Sequence, residues 1–299
     1  MTSQIEYQGA SAEAIQSHYD RGNDFYALWL DPTRSYSCAL WEGPDDTLQA
    51  AQERKLDHLA TGARVQGAGR VLDVGCGWGG MMRRLLERHD VSEVVGLTLA
   101  REQAAHIGTF ADERYDVRVQ NWIDHVPAPR DGSTDVAAPY DAIVSIGAFE
   151  HFADFGLNRG GRVEAYRRFF ASCHEWLPPG GRLALQTNVK GNNVKLDRQT
   201  VKDLLFICDQ IFPESELPWA SEIVEAAERR FDVVSARNDA DHYARTCQEW
   251  HDNLVANRAA ATELVGEARV ADYERYLRAS VRGFRNRHLG LMRLVFERT

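Results

Sequence analysis

The sequence predicts a doubly wound α/β fold with a helical cap, and three observations carry the prediction. From Arg70 onward short apolar runs alternate with helical stretches, glycines crowd the end of the first run, and the segments on either side of that alternation read as helices. Near-continuous apolar strands separated by helices are what a parallel sheet covered on both faces requires. With 299 residues, 44% hydrophobic and 26% charged, the chain has the composition of a globular protein and the length of about two domains.

The elements follow in order. A helix from Ser11 to His18 precedes the aromatic-rich stretch DFYALWLDPTRSYSCALWEG. A second helix runs from Thr47 to about Thr61: Thr47 caps it, and Leu48, Ala51, Lys55, Leu56 and Leu59 recur near three-to-four spacing. Five strands come next, RVLDVG, EVVGLTL, VRVQN, YDAIVSIG and GRLALQT. After Thr187 the alternation stops, leaving a helix around Val201 to Ile211 and the turn-rich FPESELPWA. A helix near Ile223 to Arg230 leads into the strand FDVVSAR, and the rest is helical until the terminal strand RLVFERT.

Charge and cysteine usage narrow the class. Against 44 acidic side chains stand 35 basic ones, a formal charge of −9, which opposes broad attraction to nucleic acid or anionic lipid. The five cysteines (Cys38, Cys76, Cys173, Cys208, Cys247) are odd in number and never CxxC, the pattern of reduced thiols in a cytoplasmic protein rather than a disulfide frame or a metal knuckle. No apolar run approaches the roughly 18 residues of a membrane span, and the N-terminus lacks a basic-then-apolar signal pattern. No amphipathic basic helix is evident, so stable membrane docking is not expected.

VLDVGCGWGG, residues 71 to 80, is an apolar strand ending in Asp73 and running into glycines before the helix MMRRLLERH. Gly75 and Gly77 let the backbone turn sharply and approach a small ligand at a helix N-terminus. With Gly80 they also satisfy the dinucleotide spacing GxGxxG, but EVVGLTL ends in Thr98 without the acid that would grip an adenosine ribose, and Gln103 offers a donor and an acceptor instead. Downstream, SIGAFEHF brings Ile146, Glu150 and His151 to the ligand edge of the sheet, where they are candidates for anion or proton handling, although both side chains also suit capping and packing. Trp122 suits either an adenine ring or the core.

HYDRGNDFYALWLDP, YSCALWEG with TLQAAQERKLD, LDVGCGWGG, VVGLTLAREQ, IVSIGAFEHF and DHYART together resemble the cyclopropane-fatty-acid synthases, most closely the mycolic acid cyclopropane synthase branch of S-adenosylmethionine-dependent methyltransferases. The resemblance implies a class I Rossmann-like methyltransferase fold, divided into a helical cap (1–62), an S-adenosylmethionine-binding core (63–188), an insertion lining the substrate site (189–221), and the end of the sheet with a C-terminal helical cap (222–299). It implies cofactor contacts from Tyr36, Ser37, Gly75, Gly77, Thr98, Leu99, Gln103 and Trp122, with Asp73 facing the cofactor's amino-acid part. It further implies a bicarbonate ion serving as base, held by Cys38, the backbone at Ile146, Glu150, Tyr243 and a fifth-strand histidine. Here that histidine is Gln186, which can donate a hydrogen bond but adds no positive charge. Residues 190 to 219 follow the family poorly.

The function expected is carbon methylation of a double bond in an apolar substrate through a carbocation, which then closes a cyclopropane or loses a neighbouring proton. Such chemistry needs a dry chamber, for which Phe25, Tyr26, Trp29, Tyr36 and Trp41 offer either a lid or simple core. The alternative is an N-methyltransferase of a small amine oriented by Glu150 and His151. A nicotinamide oxidoreductase keeps only the glycine spacing. A carrier-bound substrate fits, and the sequence leaves oligomeric state unread.

Overall fold

The protein is described here from a computed structural model covering residues 9–11, 16, 22–128 and 139–299. The expected helix from Ser11 to His18 therefore lies mostly outside the described residues. A short α1 (Asn23–Ala27) and a long α2 (Leu48–Gly62) precede the sheet, and Thr47 caps α2 by accepting a hydrogen bond from the Ala50 N–H.

Seven strands form one sheet: β1 (Arg70–Val74), β2 (Glu93–Thr98), β3 (Tyr115–Val119), β4 (Ala142–Ile146), β5 (Arg182–Lys190), β6 (Phe231–Asn238) and β7 (Leu289–Arg298). Their order is β3-β2-β1-β4-β5-β7-β6. The first five are parallel, and β7 enters antiparallel between β5 and β6. The chain leaves β1 toward β2 on one side and β4 on the other, which opens a crevice at the carboxyl ends of β1 and β4.

Alternation along the buried strands splits the core. Leu72, Val95, Ile143 and Leu183 pack with Phe149, Phe169 and Phe170, whereas Val71, Val94, Val144 and Ala184 pack with Leu56, Met82 and Leu85. The helices covering the sheet are α3 (Gly80–Arg88), α4 (Arg101–Gly108), α5 (Arg159–Trp176) and α7 (Ala220–Ala227). A third apolar cluster joins the N-terminal aromatics to α8 (Ala240–Ala256), α9 (Arg258–Val265) and α10 (Glu267–Arg285). In it Trp29 meets Trp250 edge-on and the Tyr26 and Tyr273 hydroxyls are 3.0 Å apart. Phe25, Tyr26 and Trp29 are thus core, and of the five front-end aromatics Tyr36 reaches a cavity.

Several boundaries differ from expectation: the helix expected near Ile223 to Arg230 spans Ala220–Ala227, the strand expected at VRVQN spans Tyr115–Val119, and three more have a visible cause. The helix around Val201 begins earlier, as α6 (Arg198–Phe206), because Asp197 accepts from the Thr200 N–H, and it ends in a π-turn at Ile207–Ile211. β5 continues to Lys190 because β7 pairs with it along its whole length. β7 accordingly begins four residues before Arg293.

Candidate active site

The first cavity lies at the carboxyl ends of β1, β2 and β4, where Asp73, Gly75, Gly77, Thr98, Leu99 and Ile146 line it together with Tyr36, Ser37, Gln103 and Trp122. The nine residues expected at the cofactor, and Ile146 beside them, therefore surround one space. Gly75 is required there: its φ is +84°, and a Cβ would stand 2.4 Å from the Ala148 Cβ. Asp73 is 1% exposed and neither carboxylate oxygen has a hydrogen-bond partner. Burial pushes its pKa up to about 7, opposed by the positive charge of Lys55. A partnerless buried carboxylate calls for a cationic or donor-rich ligand group. Across the cavity Thr98 Oγ1 donates to Gln103 Oε1 at 2.7 Å, which leaves the Gln103 amide nitrogen for a ligand.

Sequence reasoning missed the support behind this wall. Gln52 and Lys55 are fully buried on α2; Gln52 Nε2 donates to the carbonyls of Ser35 and Ser37, and Lys55 Nζ donates to Ser37 Oγ at 2.9 Å. Lys55 also lines the cavity, and burial draws its pKa down to about 8 against the pull of Asp31. The signal was a lysine within the apolar stripe of a helix, a place it seldom occupies without a partner.

A second, more apolar cavity shares Tyr36, Gly147 and His151 with the first. Its remaining wall comes from distant parts of the chain: Glu150 after β4, Asn188 on β5, Leu204, Ile207 and Phe212 around the π-turn, Tyr243 and Cys247 on α8, Tyr276 and Phe284 on α10. Glu150 Oε1 accepts the Asn188 N–H at 2.6 Å, while Glu150 Oε2 and Asn188 Oδ1 are buried without partners. Burial raises the Glu150 carboxyl to about 7, with the Asn188 N–H pulling it back. His151 bonds to Ser215 Oγ through Nδ1 at 2.8 Å, and burial lowers its pKa to about 4, so the imidazole is neutral near pH 7. Tyr243 stacks on Phe284, and burial holds its hydroxyl well above the ordinary tyrosine value.

Two expected site residues sit elsewhere. Cys38 is fully buried and lines neither cavity; its thiol donates to the Ala39 carbonyl, and burial pushes it up to about 12. Gln186 lines neither cavity, because its amide nitrogen donates to the Cys38 carbonyl and its oxygen accepts from Arg293 Nε at 2.7 Å. Arg293, a residue the sequence did not single out, also pairs with Asp239 and donates to the carbonyls of Cys38 and Ala39. The positive charge missing at position 186 is thus present one strand away, on β7.

A sequence profile described as mycolic acid cyclopropane synthetase matches residues 7–294. The chain belongs to that family. Cyclopropane mycolic acid synthase 2 of Mycobacterium leprae is 36% identical over 292 residues, covering 92% of this chain and 90% of that protein. Hydroxymycolate synthase MmaA4 of Mycobacterium tuberculosis is 37% identical over 279 residues, covering 89% and 86%. The structure of the cyclopropane synthase MmaA2 from Mycobacterium tuberculosis superposes with a TM-score of 0.86 at 32% identity, covering 97% of this chain and 99% of that one. The crystal structure of the mycolic acid cyclopropane synthase CmaA1 complexed with SAH and CTAB superposes with a TM-score of 0.85 at 32% identity, covering 98% of this chain and all of that one. This cyclopropane synthase family member is therefore a methyltransferase that uses S-adenosylmethionine, with the class I Rossmann-like fold. The amine-methylating alternative finds no support among these relatives, and no described helix is long and apolar enough to cross a membrane.

Proposed function

We propose that the enzyme methylates a carbon–carbon double bond of an unsaturated acyl chain, or of a comparably apolar metabolite, held in the second cavity. The observation that carries this reading is a buried, partnerless carboxylate oxygen of Glu150 in the wall of an otherwise apolar cavity that adjoins the cofactor cavity. The curated relatives are named for mycolic acid products, which agrees in chemistry with such a chamber.

S-adenosylmethionine, when bound, supplies an electrophilic methyl group on a sulfonium. Asp73 would hold the amino-acid part, Thr98 and Gln103 would meet the hydroxyl-bearing part, Trp122 would offer a face to the adenine, and Gly75, Gly77, Leu99 and the backbone at Ile146 would shape the wall. Tyr36, Gly147 and His151 form the partition at which the two reactants meet. An alkene is a weak nucleophile, so alignment and exclusion of water must lower the barrier, and the aromatic wall stabilises positive charge as it develops.

The substrate's π electrons form the new carbon–carbon bond as the carbon–sulfur bond breaks, which leaves a cation on the substrate. That cation then loses one proton, from the new methyl group to close a ring or from a neighbouring carbon to leave a branched alkene. Glu150, poised near 7, is the group in this cavity able to accept or relay that proton, with Tyr243 beside it. The bicarbonate expected from the family fits only in part: Glu150 Oε2 and Asn188 Oδ1 can accept its hydroxyl proton, but the side chains of Cys38 and Gln186 are bonded to other protein groups. Proton acceptance by Glu150 needs no contribution from either.

Incubation with trideuteromethyl cofactor and a panel of unsaturated lipids, terpenoids and amines tests the reading. Transfer to an unsaturated lipid with loss of one label atom indicates ring closure, and transfer with all three retained indicates methyl branching. Labelling confined to amines overturns the proposal.

A further inference from the structure

No amphipathic basic helix is expected from the sequence, yet the short α6 carries an exposed apolar stripe with a basic margin, and the fold brings arginines of α10 against it. On α6 the residues Arg198, Val201, Lys202 and Leu205 share one side at helical spacing, and all four are exposed. Leu205 is 65% exposed, and Val194 in the preceding loop is 72% exposed. The other side of the same helix turns inward, where Asp203 is buried against Arg282 and Leu204 lines the second cavity. The wall of the proposed substrate chamber is thus a helix with apolar residues on both sides, and among the described residues its outer side is left exposed.

Charge marks the same face. α10 packs against α6, with Arg275 over the Phe206 ring and Arg282 paired with Asp203. Of the five arginines in residues 275 to 287, Arg278, Arg282 and Arg287 pair with Glu274, Asp203 and Asp241, whereas Arg275 and Arg285, with Lys195, Arg198 and Lys202 of residues 191 to 206, form no ion pair among the described residues. Residues 275 to 287 contain no carboxylate, and residues 191 to 206 contain two. The remainder of the chain holds 27 basic against 42 acidic side chains. An anionic surface would repel the molecule from most directions and attract it through this face.

The chemistry of the face selects among anionic partners. Protein interfaces are poor in lysine and gather aromatic side chains at their centre. Here aliphatic side chains protrude beside lysines and arginines, whose stems can lie along acyl chains while their heads stay at the phosphates. We propose that the outer side of α6, with Val194 and the arginine row of α10, docks on an anionic lipid surface and sets the mouth of the second cavity against its acyl chains. Delivery of substrate by this route rests on the reading of an acyl substrate given above; the docking does not.

Co-sedimentation of the full chain with vesicles of phosphatidylglycerol and phosphatidylcholine, against vesicles of phosphatidylcholine alone, tests the docking. The wild type is expected to bind the anionic vesicles and to be released by high salt. The double variant Val201→Glu, Leu205→Glu should bind about tenfold more weakly or worse, while Val126→Glu, at a site 77% exposed outside this face, binds as wild type. Unchanged S-adenosylhomocysteine affinity and melting temperature establish that the double variant is folded. Absence of wild-type binding to anionic vesicles overturns the proposal, as does binding that survives the double substitution. Loss of turnover on a chain presented by an acidic carrier protein, without any vesicle binding, assigns the face to a protein and also overturns it. Vesicle binding that depends on this face, with no acyl chain methylated, upholds the docking and sinks the substrate reading instead.

Discussion

The two cavities that share Tyr36, Gly147 and His151 are built in different ways. The first is made largely from strand ends and the turns that leave them, so its residues fall in short contiguous runs: Asp73 to Trp78, Leu97 to Leu99, Ile146 to Ala148. The second takes single residues from β5, the π-turn, α8 and α10, separated by long stretches of chain. The cavity proposed for the cofactor is anchored in the sheet, whereas the one proposed for the substrate rests largely on helices and loops, which can change without disturbing the sheet.

Substitutions on each side of the shared partition should therefore separate binding of cofactor from turnover. Glu150→Gln is expected to lower turnover by about a thousandfold while calorimetry finds S-adenosylhomocysteine bound as before; equal losses in both would merge the two sites. Asp73→Asn should act in the opposite sense, weakening cofactor affinity by about tenfold to a hundredfold while raising the melting temperature of the ligand-free enzyme, because it removes a buried carboxylate without partners.

The pH dependence sharpens the same contrast. Asp73 and Glu150 both have folded-state pKa values raised to about 7, so their contribution to stability is complete below the ordinary carboxylate range and is lost as pH rises through 7. Lys55 titrates above that window. The ligand-free melting temperature is expected to fall between pH 5 and about 7.5, and Asp73→Asn should flatten that fall. Turnover should show the reverse trend, declining below about pH 7 as Glu150 takes up a proton, and a flat profile in that range would remove Glu150 as proton acceptor. Tyr243→Phe is expected to cost about tenfold in turnover with cofactor binding intact. Cys38→Ser, buried outside both cavities, should change turnover by less than about threefold, and a larger effect on turnover alone would return Cys38 to the chemistry.

The same division governs what the sequence discloses. Strands β1 to β5 were legible because each is a contiguous apolar run, and the first cavity followed because its residues flank those runs. Gln186 was placed on the right strand, but its partners were invisible: Arg293 lies 107 positions away and is brought alongside only by the antiparallel entry of β7. Asn188 went unnoticed for a related reason, since its value as an acceptor arises from a cavity wall shared with Glu150 rather than from any local pattern. Lys55 carried a local signal that was read as part of a stripe.

Because Arg293 on β7 fastens the Cys38–Ala39 turn, the wall beside the cavity proposed for the methyl donor is finished by a residue made 255 positions after the turn it holds. Among the described residues β6 pairs in the sheet with β7 alone. A chain that stops before β7 keeps the glycine loop yet lacks this clasp on the facing wall.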